Sequence, residues 1–184
     1  MQYDQIDRIS RCAASGALGA LMLLAACGDD DPMPYDGPCW PLPAEPGGQV
    51  ELGTGDLAFE PMPDVPAVIR NGSQADPFLR IHSRIRGMPP GDPDDFFDPR
   101  NPKTKVGLAI DELGLALGED CPASLGYVSA PEPDAFDMVH SLRIGFGMFP
   151  LDQVAGKQAR ITVEVVGSNR RYARDERLVT LMIP

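Results

Sequence analysis

Apolar and polar residues alternate along most of the chain after residue 48. Successive side chains of a β-strand point to opposite faces, so this alternation predicts strands that bury one face only. The positions predicted to face inward are Leu79, Ile81, Ser83 and Ile85; Val106, Leu108 and Ile110; Leu113, Leu115 and Leu117; His140, Leu142, Ile144 and Phe146; Ala159, Ile161, Val163 and Val165; and Val179, Leu181 and Ile183. Turn residues separate these segments. The pattern predicts an all-β fold, a single antiparallel β-sandwich, with one helical turn near residues 150–154.

The last segments carry the most specific pattern. Residues 156–166 form a loop and a long alternating strand, residues 167–169 form a polar turn, and residues 175–181 alternate again. This arrangement resembles the closing hairpin of bacterial immunoglobulin-like domains, and the number of predicted strands agrees with such a sandwich. The Cys–Trp–Cys spacing of antibody domains is absent. The resemblance therefore implies an immunoglobulin-like architecture without an antibody-type function.

The amino terminus has the pattern of a secretory leader. Arg8 and Arg11 precede an apolar run that ends in Leu24-Ala25-Ala26-Cys27. A positive start, an apolar centre and a small-residue cleavage site are the three parts of a signal peptide. The run is too short to span a bilayer. Its last four residues resemble the lipobox of bacterial lipoproteins, which implies cleavage by signal peptidase II after residue 26 and a diacylglycerol on Cys27. The alternative is an ordinary signal with Cys27 there by chance.

This resemblance implies the organisation and location of the chain. Residues 1–26 are the signal peptide, residues 27–48 are a proline-rich tether, and residues 49–184 are the β-sandwich domain. The chain is expected to be attached to the bacterial cell envelope, at the outer membrane, through the lipid on Cys27. It is similar to envelope lipoproteins of unknown activity that carry one β-sandwich behind a proline-rich stalk.

The same interpretation assigns a role to each of the four cysteines. Cys12 leaves with the leader and Cys27 carries lipid, so Cys39 and Cys121 remain. In an oxidising compartment we expect these two to form a disulfide. The alternative is a metal site with two cysteine ligands, for which the sequence has no CxxC motif or nearby histidine.

The formal net charge of −11 excludes one class of partner. An acidic surface repels phosphate groups, so we expect no nucleic acid to bind.

An acidic, proline-rich loop is a candidate calcium site. Its carboxylates are Asp92, Asp94, Asp95 and Asp98. Calcium takes six to eight hard oxygen ligands, which such a loop supplies, although the spacing does not match an EF-hand. A plain solvated loop is the favoured alternative. Phe96 and Phe97 lie within it, and we expect them to close the core from outside rather than to form an exposed patch.

A row of basic residues is a second candidate site. Arg80, His82, Arg84 and Arg86 alternate with apolar residues, so they share one face of a strand. The favoured interpretation is a solvated face neutralised by the Asp92–Asp98 loop or by Glu164. The functional alternative is a patch that binds an acidic partner or an anionic polysaccharide.

Enzymatic activity is not expected. GxSxG, HExxH, P-loop and GxGxxG motifs are absent. A hydrolase whose catalytic triad is assembled from distant positions remains open, because triads are not contiguous in sequence. Of the two histidines, His82 is expected to be solvated and His140 to be a hydrogen-bonded core residue. The expected function is a structural or binding module that is not an enzyme, with an envelope protein or polysaccharide as partner.

Overall fold

The structure, a computed structural model, describes residues 44–69, 76–118 and 121–183. These residues belong to one compact unit, Tyr35–Pro184. The predicted leader, Cys27, Cys39 and most of the predicted tether lie outside the described residues, so those predictions stay untested. Within the described ranges, no helix has the length and apolar character needed to cross a bilayer.

Strands dominate the described part of the chain and form two sheets. In chain order the strands are β1 (Glu45–Pro46), β2 (Gln49–Thr54), β3 (Glu60–Pro61), β4 (Phe78–Arg86), β5 (Lys103–Ile110), β6 (Leu115–Gly118), β7 (Ala123–Ser124), β8 (Tyr127–Ser129), β9 (Ala135–Met138), β10 (Leu142–Gly145), β11 (Gln158–Val166) and β12 (Arg171–Thr180). Sheet 1 has the order β1-β12-β11-β5-β6, with β7 also paired to β5. Sheet 2 has the order β3-β2-β4-β9-β8, with β10 also paired to β4. Neighbouring strands are antiparallel except β1 and β12, which confirms the predicted all-β class and the packing of two antiparallel sheets.

The hairpin β11–β12 confirms the strongest pattern in the sequence. Residues Val166 and Tyr172 form the pair next to the turn, and Arg170 in that turn has a φ of 60°. The inward side chains of β11 are all buried: Ala159, Ile161, Val163 and Val165. The return strand starts at Arg171, four residues before the predicted start. Its first residues were missed because charged side chains occupy both faces there, so no alternation of apolar and polar residues marks them.

The core lies between the two sheets, and a buried group of three hydroxyls connects them. The hydroxyl of Tyr127 on β8 lies 2.9 Å from the Ser83 hydroxyl on β4 and 2.8 Å from the Thr104 hydroxyl on β5. All three side chains are buried. Burial raises the pKa of Tyr127, so the phenol stays protonated and shares a hydrogen bond with each of the two hydroxyls. These hydrogen bonds fix sheet 2 against sheet 1.

In each sheet, two short strands rather than one long strand pair with one edge of a long strand: β9 and β10 with β4, and β6 and β7 with β5. The short strands β9 and β10 pair one after the other with the same edge of β4. Asp137 of β9 pairs with Arg84, and Leu142 of β10 pairs with Ile81. The chain thus advances five residues from β9 to β10 while β4 advances only three. The segment therefore has two residues more than β4, and residues 139–141 leave the ladder as a bulge. On β5, the strand β7 pairs with residues 103–104 and β6 pairs with residues 107–110, and no described residue pairs with residues 105–106 on that edge.

Three smaller predictions have different outcomes. The helical turn is confirmed at Leu151–Val154. The strand predicted to start at Leu113 is wrong there, because Asp111–Leu113 form a 3-10 turn that ends at Gly114 in the left-handed region, with φ of 59°. The strand β1 lies in the predicted tether, so the sheet begins before residue 49.

Candidate functional site: a cationic groove between the sheets

A groove opens where the two interrupted edges face each other. It has a volume of about 280 Å³ and is lined by residues 104–106 of β5, by Cys121 and Ala123, and by residues 141–143 at the bulge and the start of β10. Its volume is close to the lower limit of about 300 Å³ for small-molecule sites. Residues 105–106 have no ladder partner among the described residues, and the bulge at residues 139–141 borders the same space.

Two cationic residues, Lys105 and Arg143, line the groove, and neither forms an ion pair with a described residue. Among the described residues, neither Lys105 nor Arg143 has a carboxylate oxygen within 4.0 Å. The guanidinium of Arg143 lies 4.6 Å from the centre of the Phe78 ring, which holds it in place without neutralising it. Lys103 lies two residues before Lys105 on the same face of β5, and partial burial lowers its pKa. The described residues that line the groove thus include two cations and no carboxylate, although Glu164 lies opposite Lys105 on β11.

The predicted basic row on β4 has a different character, because each of its arginines has an acidic partner. Arg80 lies 3.2 Å from Asp56, and Arg86 lies 3.8 Å from Glu51. The loop at residues 92–98 and Glu164, which the sequence favoured as partners, make no ion pair with this row in the described residues. Whether the row binds a partner stays a prediction, but little of its charge is uncompensated.

Arg84 is the most enclosed member of the row. Its guanidinium donates to both oxygens of Asp137, at 2.6 and 3.0 Å, and pairs with Glu132 at 2.6 Å. It also lies 4.3 Å from the centre of the Phe59 ring. The side chain is 8% exposed, and the hydrogen bonds to Asp137 raise its pKa. Such a buried, doubly paired arginine has a structural role in this fold.

The prediction that His82 is solvated is wrong. The side chain is 0% exposed, and the Phe59 ring lies edge-on to it at 6.0 Å. Phe59 fits there because Gly53 is the β2 residue opposite His82, and a Cβ at Gly53 would come within 2.3 Å of the Phe59 ring. Burial lowers the pKa of His82, and neither ring nitrogen has a hydrogen-bond partner among the described residues.

The prediction that His140 is a core residue is also wrong. The ladder to β4 stops at β9 and resumes at Leu142, so the bulge carries His140 out of the sheet, where it is exposed. Its ring stacks on Phe96 with a centroid distance of 5.5 Å and an interplanar angle of 15°. Phe96 is 48% exposed and Phe97 is 93% exposed, so neither closes the core as expected.

The acidic loop uses its carboxylates within the loop. Asp92, Asp95 and Asp98 each accept a hydrogen bond from the backbone amide two residues later, at 3.0, 2.9 and 2.7 Å. Asp98 also accepts from the guanidinium of Arg100, which lowers the pKa of Asp98 to about 2. No group of three or more potential metal ligands occurs within the described residues. Calcium binding by Asp92, Asp94, Asp95 and Asp98 stays a prediction.

The histidines do not form a triad in the described part of the chain. His82 lacks hydrogen-bond partners, and His140 contacts Phe96. Sequence reasoning missed Lys105 and Arg143, because they lie on separate strands and nothing in either segment distinguishes them from other exposed cations. The only available signal was the Gly118-to-Pro122 interruption, which ends the strand beside Lys105.

Comparison of the chain with protein-family models, with curated proteins and with solved structures gives no match in any of the three.

Proposed function

We propose that this chain is a lipid-anchored binding module of the bacterial cell envelope, without enzymatic activity, whose groove holds an anionic group of the ligand. The lipobox-like sequence that ends at Cys27 supports the anchor and the location. The two packed sheets supply a rigid scaffold, and sandwiches of the immunoglobulin-like type commonly bind through surfaces formed at their edges and loops.

One observation carries the proposal. The arginines of β4 form ion pairs with acidic side chains, whereas Lys105 and Arg143, which line the groove, have no carboxylate oxygen within 4.0 Å among the described residues. Confined cations in a concave site with apolar walls attract an anion more strongly than cations on an open surface do, because less water and salt screen them. An anionic ligand would give these two cations the ion pairs that the described residues do not provide.

The test is calorimetric titration of the full chain, purified in detergent, with three short oligomers. Hyaluronan hexasaccharide and hexaglutamate are anionic, and hexalysine is the cationic control. We expect at least one anionic probe to bind, and we expect Lys105→Gln and Arg143→Gln each to weaken that binding about tenfold, the effect of losing roughly 1.4 kcal/mol of a charge-assisted contact.

Lys157→Gln is the matched control. It removes one positive charge from an exposed lysine that pairs with Glu112 at 2.6 Å, outside the groove. Binding of both anionic probes should stay within about twofold in this variant, since an exposed ion pair contributes little. Equal loss in Lys157→Gln and Lys105→Gln would show a general charge effect and would contradict a role for the groove.

A further inference from the structure

We infer that the ligand of the groove is an anionic carbohydrate chain, whose charged group lies between Lys105 and Arg143 and whose neighbouring sugar ring stacks on Phe96. This inference rests on the proposed binding function and names its ligand class. The two parts of the site are the groove and the stacked pair Phe96–His140, which we call the aromatic platform.

The aromatic platform is exposed to solvent, and His140 stacks on one face of its Phe96 ring. Phe96 keeps 48% of its surface accessible although His140 covers one ring face in a nearly parallel stack. The other ring face has no aromatic partner among the described residues. The C–H groups of a pyranose carry partial positive charge and match the negative face of an aromatic ring. A fixed aromatic ring with one accessible face is therefore better suited to stacking a sugar than to filling the protein core.

The aromatic platform lies beside the groove. His140 immediately precedes residue 141, which lines the groove. The loop that carries Phe96 runs along the segment after Ala123: the amide of Tyr127 donates to the carbonyl of Pro90 at 2.9 Å, and the amide of Leu125 donates to the carbonyl of Pro102 at 3.1 Å. Both ends of the loop are thus fixed to the chain that forms the groove wall.

The loop is also fixed within itself. Besides the three aspartate-to-amide hydrogen bonds, the Asn101 side chain accepts from the amide of Asp92 at 2.7 Å and donates to the carbonyl of Asp95 at 2.6 Å. A Cβ at Gly91 would lie 2.2 Å from the Asn101 side-chain oxygen, so glycine is required for this close approach. A platform that is ordered before binding loses little conformational freedom when the ligand arrives.

The distribution of charge around the site favours an anionic carbohydrate over an acidic peptide as the ligand. The described residues that line the groove are cationic or uncharged, whereas the loop that carries Phe96 contains Asp92, Asp94 and Asp95, none of which forms an ion pair within 4.0 Å in the described residues. A chain with a negative charge on every residue meets these carboxylates and is repelled. A glycan that alternates charged and neutral sugars places its charge in the groove and a neutral ring over Phe96.

The experiment compares three probes on the full chain in detergent by calorimetric titration. Hyaluronan hexasaccharide alternates glucuronate with N-acetylglucosamine, chitohexaose has the neutral sugar only, and hexaglutamate is charged at every residue. We expect hyaluronan hexasaccharide to bind most tightly. Phe96→Ala should weaken its binding about three- to tenfold, and Phe96→Tyr should retain it, because the stacking face is preserved.

Met148→Ala is the control for loss of an exposed apolar side chain, since Met148 is 99% exposed. It should leave the binding of all three probes unchanged. A thermal melt of each variant checks that Phe96→Ala remains folded, as expected for a side chain that is half exposed.

Two failures are distinguishable. If Lys105→Gln weakens both anionic probes while hexaglutamate binds as tightly as the sugar and Phe96→Ala changes neither, the carbohydrate inference is wrong and the proposed function stands. If no probe binds at millimolar concentration, or if neither Lys105→Gln nor Arg143→Gln changes binding, the proposed function is wrong and the inference is lost with it. Capture of an envelope protein through Phe96 without sugar binding would also overturn the inference.

Discussion

Replacement of His82 by leucine tests whether a neutral, unpaired histidine in the fold makes stability depend on pH. His82 is fully buried, and both ring nitrogens lack partners among the described residues. An unsatisfied buried polar group costs about 1–3 kcal/mol. Leucine has a similar volume and no polar atoms, so at pH 7.5 we expect His82→Leu to unfold with a free energy equal to or above that of the unchanged chain, despite the lost edge contact with Phe59.

The effect of pH has a definite sign. Burial lowers the pKa of His82 from 6.5, nearby Arg84 acts in the same direction, and the backbone of Ser83 and the Asp137 carboxylate oppose it. Below about pH 6.5 the unfolded chain therefore binds a proton that the folded chain does not bind. Stability from this residue is complete above that pH and is lost as the pH falls, with a limiting slope of about 1.4 kcal/mol per pH unit.

The assay is urea denaturation of the full chain, followed by far-ultraviolet circular dichroism between pH 7.5 and pH 5. The informative quantity is the difference in free energy of unfolding between His82→Leu and the unchanged chain, because acidic residues affect both proteins alike. This difference should grow in favour of the variant below pH 6.5. His140→Leu is the control, since the exposed His140 should not change the slope. A difference that stays constant across the range would refute the account of His82 as a buried neutral base.

The other predictions concern the buried ion pair, the disulfide and the anchor. Asp137→Asn should lower the free energy of unfolding by about 3 kcal/mol, because it leaves the buried Arg84 with one carboxylate; a loss below about 1 kcal/mol, typical of exposed pairs, contradicts this. Cys39→Ser and Cys121→Ser should each cost roughly 4 kcal/mol in denaturation, and the double variant should cost no more than either, whereas additive losses exclude a shared bond. Cys27→Ser should abolish labelling of the cells' protein by radioactive palmitate, and retained label would place the acyl chain elsewhere.

The sequence predicted those parts of the fold in which one strand face is buried and the other is exposed. In β11 the inward residues Ala159, Ile161, Val163 and Val165 are buried, as the alternation requires. In β4 the same reasoning placed His82 in solvent, and it failed because Phe59, from a segment without clear periodicity, covers the outer face. Burial on both faces depends on tertiary packing that a local pattern does not contain.

The candidate site was less predictable than the fold. The bulge at residues 139–141 preserves the alternation on either side of it, so the periodicity of β9 and β10 gives no sign that His140 leaves the sheet. The groove is lined by residues 104–106 of one sheet and residues 141–143 of the other, so only the relative position of the sheets brings Lys105 and Arg143 to the same groove. A sequence pattern records neighbours along the chain, whereas this site depends on neighbours in space.

The interrupted outer strands have a consequence for self-association. The terminal strands of the sheets in the described residues are short: β1 and β3 have two residues, β8 has three, and β6 has four. A long straight edge would offer a row of free amides and carbonyls to a neighbouring molecule, and such edges seed aggregation. If the proposed lipid anchor holds many copies on one membrane, they meet at high local density, and the short terminal strands of the described residues would help to keep them separate.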